Sequence, residues 1–205
     1  DSSNMGPEQW TMLADIISEY YHEQDGFVIL HGTDTMAYTA SALSFMLDGL
    51  NKPVVFTGAQ LPITHPRSDA RENLITALEI ASSKADGLPL VPEVSIYFGD
   101  TLLRGCRSRK VESQHFDAFQ SENHPPLAKA GVKIDYDRNA IRRMEAAGKL
   151  TVRKRFCREV AILKIFPGIT PAAVMSILGI PGLRGVIMEM FGSGNAPTGS
   201  STPPI

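Results

Sequence analysis

Apolar and polar positions follow two periods along this chain, and the two periods take turns. From Trp10 through Met12, Leu13, Ile16, Ile17 and Tyr20 the apolar residues recur every three or four positions, the spacing of one helix face. Ser3 or Asn4 is placed to cap that helix, with Pro7 in its first turn, where a missing N–H does no harm. Asp25-Gly26 breaks the pattern, and Phe27-Val28-Ile29-Leu30 follows as a short apolar run that reads as a buried strand. The exchange then repeats, with a helix from Met36 to Leu47, a strand at Val54–Thr57 after Pro53, a helix from Asn73 to Ser82 and a strand at Val94–Phe98. Apolar strands separated by helices belong to βαβ units. The expected fold is α/β: a mostly parallel sheet with helices on both faces.

Beyond Phe119 the pattern loosens. Asn123-His124-Pro125-Pro126 reads as a loop, and Lys133 to Arg158 carries many charges and few apolar runs, a connector with room for a hairpin. A strand at Val160–Phe166, a helix capped by Thr170 with Pro171 at its first position, and a strand at Gly185–Met190 restart the alternation. Gly192 to Ile205 is glycine, serine and proline with almost no apolar content. This divides the chain into an N-terminal domain over 1–135, a linker over 136–158 and the beginning of a second, smaller α/β domain over 159–205. Two strands and one helix leave an apolar face uncovered, so something is expected to pack on that unit.

Composition narrows the function. Of 205 residues, 43% are hydrophobic and 20% charged, values of a globular protein with a core. A net charge of −2 gives no electrostatic case for a nucleic-acid or membrane partner. The basic run Arg153-Lys154-Arg155 is short and reads as a solvated surface. No stretch of apolar residues is long enough to span a membrane. Cys106 and Cys157 make neither a disulfide framework nor a metal spacing, which favours a reducing compartment. His22, His31, His65, His115 and His124 make no metal spacing either. No nucleophile elbow, phosphate loop or dinucleotide fingerprint is present. No metal and no cofactor are expected.

Three segments have the residue types for chemistry. His31-Gly32-Thr33-Asp34-Thr35 stands between a buried strand and a helix, at the end of a parallel strand where ligands bind. Hydroxyls and a carboxylate there meet the free N–H groups and positive dipole end of the helix. Helix capping by Thr33, Asp34 or Thr35 is the plainer reading of the same residues, and His31 reads as a structural histidine at the strand end. Thr57-Gly58-Ala59-Gln60 ends the next strand, where the Ala59 carbonyl or the Gln60 side chain can meet a ligand. Arg104-Gly105-Cys106-Arg107-Ser108-Arg109-Lys110 supplies cations. A lysine beside a threonine and an aspartate makes the hydroxyl more acidic or stabilises developing charge, but spacing does not distinguish Lys110 from its neighbours.

Taken together, the His-Gly-Thr-Asp-Thr block after an apolar strand, Lys52-Pro53-Val54-Val55, Gly58-Ala59-Gln60, Arg67-Ser68-Asp69 and Gly192-Ser193-Gly194-Asn195-Ala196-Pro197 resemble the bacterial-type L-asparaginases, in their cytoplasmic type I branch. The resemblance implies hydrolysis of the side-chain amide of L-asparagine to L-aspartate and ammonia by a threonine nucleophile. Thr33 then matches the second active-site threonine, Asp34 the aspartate that holds the substrate α-amino group, and Lys110 the lysine of a buried relay with both. Asp1, Ser2 and Ser3 match a loop that grips the α-carboxylate and α-amino end, and Ala59 a backbone contact near the side-chain amide. It also implies a cytoplasmic homodimer or homotetramer whose smaller C-terminal domain reaches a neighbouring subunit's site. The family's primary nucleophile lies in a Thr-Gly-Gly-Thr strand that is expected to precede Asp1. Residues 199–205 match nothing in the family pattern. The rival readings are the asparaginase-like subunit of a tRNA-dependent amidotransferase and a non-catalytic amino-acid-binding domain.

Overall fold

A computed structural model describes residues 2–113, 115–144 and 149–197. The chain divides into two compact units, Asp1–Lys154 and Arg155–Ile205. In the first unit, helix α1 (Pro7–Tyr20) starts after Gly6, not on Ser3 or Asn4. The Gly6 N–H donates to Gln9 Oε1 at 3.0 Å, while Ser2–Asn4 forms a separate 3-10 turn. Pro7 takes the first helical position. Strand β1 (Phe27–Leu30) leads directly into helix α2 (Thr33–Met46). That helix begins three residues before its apolar periodicity does, because its first turn is polar and faces the site. Strand β2 (Val54–Thr57), helix α3 (Ala70–Ser82) and strand β3 (Val94–Phe98) continue the alternation. Strands β4 (Thr101–Arg104), β5 (Arg109–Lys110), β6 (Phe119–Gln120), β7 (Ala128–Ala130) and β8 (Ile134–Tyr136) follow.

The main sheet runs β1-β2-β3-β4-β7-β8. Its first three strands are parallel, with Phe27 opposite Val54 and Leu30 opposite Thr57. β4, β7 and β8 extend it antiparallel. A tight turn makes the reversal after β3, with Gly99 at φ 63°, a conformation that favours glycine. The side-chain period of two sends β2 and β3 to both faces. Val54, Phe56, Ile96 and Phe98 pack with α1 and α2. Val55 and Tyr97 pack with Ala77 and Ile80 of α3. Both faces are thus apolar, which is why these strands carry no polar alternation.

The first unit runs on to Lys154 because the charged connector takes part in it. Thr151–Val152 pairs antiparallel with Leu47–Asp48, and Ile134–Tyr136 is the last strand of the main sheet. In the basic run, Arg153 pairs with Asp48 at 2.6 Å and Lys154 pairs with Asp15. The second unit is a βαβ element. Strands β9 (Val160–Lys164) and β10 (Gly185–Glu189) are parallel, joined by helix α4 (Pro171–Leu178). Thr170 caps that helix by accepting from the Ala173 N–H at 3.2 Å. Ile162, Met175, Ile187 and Met188 are exposed. Among the described residues, no helix is long and apolar enough to cross a membrane.

Candidate active site

β1 and β2 are parallel neighbours, so their carboxyl ends open on one edge. The His31 N–H extends their ladder by one rung, donating to the Thr57 carbonyl at 2.9 Å. Two glycines let the backbone close on this spot. A Cβ on Gly58 would lie 2.3 Å from the His31 carbonyl oxygen, and one on Gly32 would lie 2.6 Å from both Ser2 Cβ and Oγ. Gly32 is the N-cap of α2 and no side chain caps it, so the capping role open to Thr33, Asp34 and Thr35 is taken by none of them. Thr35 Oγ1 instead donates to the Ser2 carbonyl at 2.5 Å. Ser2 is thereby held against the turn, while Ser3 is exposed on the same 3-10 turn. Asp1 lies outside the described residues.

Thr33 and Asp34 both meet Lys110. The Lys110 Nζ donates to Thr33 Oγ1 at 2.8 Å and to Asp34 Oδ1 at 2.8 Å, joining groups more than seventy residues apart. The lysine side chain is 17% exposed and the aspartate 68%. The expected relay is therefore buried at its lysine end only, and its carboxylate stands open to solvent. Lys110 and Arg109 are successive residues of one strand, so their side chains point to opposite faces. Arg109 turns away to Glu122 at 2.5 Å. Arg104 is bound to Glu93, with Nε to Oε2 at 2.5 Å and Nη2 to Oε1 at 3.2 Å, and to the Ala140 carbonyl at 2.9 Å. The bond to Glu93 holds the Arg104 pKa above its ordinary value. A cleft of about 580 Å³ opens in front of Asp34 and Lys110, lined also by Tyr38, Ser41, Glu112 and Ser113. Sequence reading singled out none of these four, although Tyr38 and Ser41 follow Asp34 at one-turn spacings on α2.

His31 is structural in position. Its Nδ1 lies 2.7 Å from the Gly32 carbonyl and its Nε2 lies 2.9 Å from Thr39 Oγ1. The carbonyl requires the proton on Nδ1, so Nε2 accepts from the buried Thr39 hydroxyl. Trp10 Nε1 in turn donates to Thr39 Oγ1 at 3.1 Å. Burial holds the imidazole pKa below its ordinary value, although the Gly32 carbonyl opposes this. The unfolded chain therefore takes up the proton first as pH falls. The contribution to stability is full above about pH 6.5 and declines below it. His31→Gln should accordingly lose less thermal stability than the unaltered protein between about pH 7.5 and about pH 5.5. Equal losses in the two melting series would contradict this assignment.

The loop after β2 is held from the other side. Gln60 Nε2 donates to the His115 carbonyl at 3.0 Å, so that side chain is engaged within the protein. The backbone N–H groups of Gln60 and Leu61 reach the Asp69 carboxylate at 3.0 and 3.2 Å. Ala59 is partly exposed between Gly58 and Gln60, on the edge that carries Thr33. Among the described residues, no group of three or more His, Cys, Asp or Glu is placed to hold a metal. Both cysteines are free.

Fold and site together define an α/β protein with a hydroxyl, an ammonium and a carboxylate in direct contact at the ends of parallel strands. The family model for the asparaginase N-terminal domain matches residues 1–142, and this chain belongs to the asparaginase family. It is 46% identical over 198 residues to the 60 kDa lysophospholipase of Mus musculus, covering 97% of this chain and 34% of that protein. It is 44% identical over 197 residues to L-asparaginase 1 of Escherichia coli strain K12, covering 96% of this chain and 56% of the relative. The crystal structure of L-asparaginase I from Vibrio cholerae superposes with a TM-score of 0.87 at 43% identity, over 97% of this chain and 58% of that one. The chain thus spans between about a third and three fifths of the length of these relatives.

Proposed function

We propose that this protein hydrolyses the side-chain amide of L-asparagine to L-aspartate and ammonia, and that it works in the cytoplasm as a homodimer or homotetramer. The observation that carries the reading is Lys110 Nζ at 2.8 Å from both Thr33 Oγ1 and Asp34 Oδ1. An ammonium that donates to Oγ1 leaves the Thr33 hydrogen free to point into the site. The neighbouring positive charge makes that hydroxyl a more acidic donor. Thr33 is suited to move a proton at the amide carbon while a threonine nucleophile, which the family resemblance assigns to a Thr-Gly-Gly-Thr strand, forms the acyl bond. Forming that bond breaks the amide C–N bond and releases the nitrogen, protonated, as ammonia; water then cleaves the acyl bond, freeing aspartate and restoring the threonine hydroxyl. Asp34 is open to solvent beside the helix start and supplies the counter-charge for the substrate α-ammonium. Ser2, Ser3 and Asp1 serve its α-carboxylate and α-amino end. Assignment to the cytoplasmic, oligomeric branch rests on the type I resemblance.

Asp34 provides the test. In the full-length protein, ammonia release from L-asparagine is expected. Asp34→Asn should weaken asparagine by roughly 10- to 100-fold, the worth of a hydrogen bond to a charged group. Succinamate, the same amide without the α-amino group, should lose clearly less than asparagine, because only the Lys110–Asp34 contact bears on it. Equal losses for asparagine and succinamate would assign Asp34 a structural role and remove the ammonium site from the reading.

A further inference from the structure

We propose that Asp69 and Asn73 are positioning residues that aim the backbone of Ala59 away from α3 at the carboxyl edge shared by β1 and β2, where it receives the N–H of a side-chain amide. The inference rests on the amide hydrolysis proposed above and assigns two residues that touch no substrate. Asp69 occupies the N-cap position of α3, yet its carboxylate makes no cap bond to that helix. It accepts from the Gln60 N–H, at 3.0 Å to each oxygen, and from the Leu61 N–H at 3.2 Å. Asn73, one helical turn on and 2% exposed, donates from Nδ2 to the Gly58 carbonyl at 2.9 Å and to Asp69 Oδ2 at 3.1 Å. The pair therefore grips the two peptide planes on either side of Ala59.

Peptide geometry converts that grip into a direction. In a trans peptide the carbonyl of one residue and the N–H of the next point to opposite sides, and no cis bond occurs among the described residues. With the Gly58 carbonyl turned to Asn73, the Ala59 N–H faces away from α3. With the Gln60 N–H turned to Asp69, the Ala59 carbonyl faces away as well. Neither Ala59 group has a hydrogen-bond partner among the described residues. Behind them, Gly58 is jammed against the His31 carbonyl, so the loop cannot drift toward β1. A free carbonyl held at this edge accepts from an amide NH2, which has two donors, and gains nothing from an ester, which has none. Asp69 holds the plane that contains this carbonyl, and Asn73 holds the plane before it.

The experiment compares L-asparagine with L-aspartic acid β-methyl ester in the full-length protein. The ratio of the two kcat/KM values does not depend on the folded fraction of the sample. Asp69→Asn should lower that amide-to-ester ratio by about tenfold, the worth of one well-placed hydrogen bond. Asn73→Ala should lower it by less, since the carbonyl lies in the other plane. A ratio unchanged in both variants overturns the proposal, whatever the absolute rates. Loss of a cooperative melt in both assigns the pair to folding and overturns it too. If the unaltered protein turns over neither substrate, the asparaginase reading itself fails and this proposal with it.

Discussion

Lys110→Arg should lower kcat for asparagine by about 10²- to 10⁴-fold, the range of a lost acid–base contribution, even though the positive charge is kept. The ammonium fits between Thr33 Oγ1 and Asp34 Oδ1 at 2.8 Å from each and is 17% exposed. A guanidinium is planar and longer, and it does not give up a proton at working pH. It can neither occupy that gap without pushing Thr33 away nor take part in a proton relay. Lys110→Met should lose at least as much activity, and Thr33→Ala about 10² or more. The double variant should be far from additive, because groups acting as a unit fail together. Steady-state ammonia release measures the effect, and thermal melting checks that the fold is kept. More than half of normal kcat in Lys110→Arg would return Lys110 to an ordinary surface role.

The parallel core and the Thr33–Asp34 turn were legible because local pattern and tertiary environment agree there. Strands at Phe27–Leu30, Val54–Thr57 and Val94–Phe98 are mostly apolar, with Thr57 and Ser95 the polar exceptions, and the latter two strands are buried along their whole length. Thr170 and Pro171 marked their helix start because cap chemistry is local. The antiparallel extension was less legible, since Ala128–Ala130 and Ile134–Tyr136 are only three residues each, too short for a period to register. The charged connector concealed Thr151–Val152 because a two-residue edge pairing needs no apolar run. Lys110 could not be chosen from spacing at all. What separates it from Arg104 and Arg109 is the location of Glu93 and Glu122, which is a long-range fact. Family resemblance supplied that choice, and Lys110 Nζ lies 2.8 Å from both Thr33 Oγ1 and Asp34 Oδ1. The helix caps at Ser3 or Asn4 were misplaced for a related reason. Those residues are drawn into the turn that packs Ser2 against Gly32, a demand of the site and not of the helix.

Two glycine substitutions should separate binding from stability at that turn. Gly32 has φ −67° and ψ 144°, a conformation open to any residue, so its glycine is needed for space alone. An added Cβ would meet Ser2 Cβ and Oγ at 2.6 Å. Ser2 belongs to a short 3-10 turn, anchored to α2 through Thr35 Oγ1, and such a turn can yield. Gly32→Ala should therefore displace Ser2 by about 1 Å and raise KM for asparagine tenfold or more, a misplacement that can cost about 10² in efficiency. The melting temperature should stay within about 2 °C, because a surface adjustment stays within about 0.5 kcal/mol. Gly58→Ala places the same methyl 2.3 Å from a backbone oxygen, that of His31. This residue cannot retreat, because its N–H is held by the Thr57 carbonyl at 2.9 Å. The clash must open the β1–β2 ladder, for a loss of about 3 kcal/mol and a melting temperature lower by about 6–12 °C. Melting curves and KM for the two full-length variants give the comparison. Similar stability losses in both, or an unchanged KM in Gly32→Ala, would mean that Ser2 is not pressed against the turn in the full-length protein.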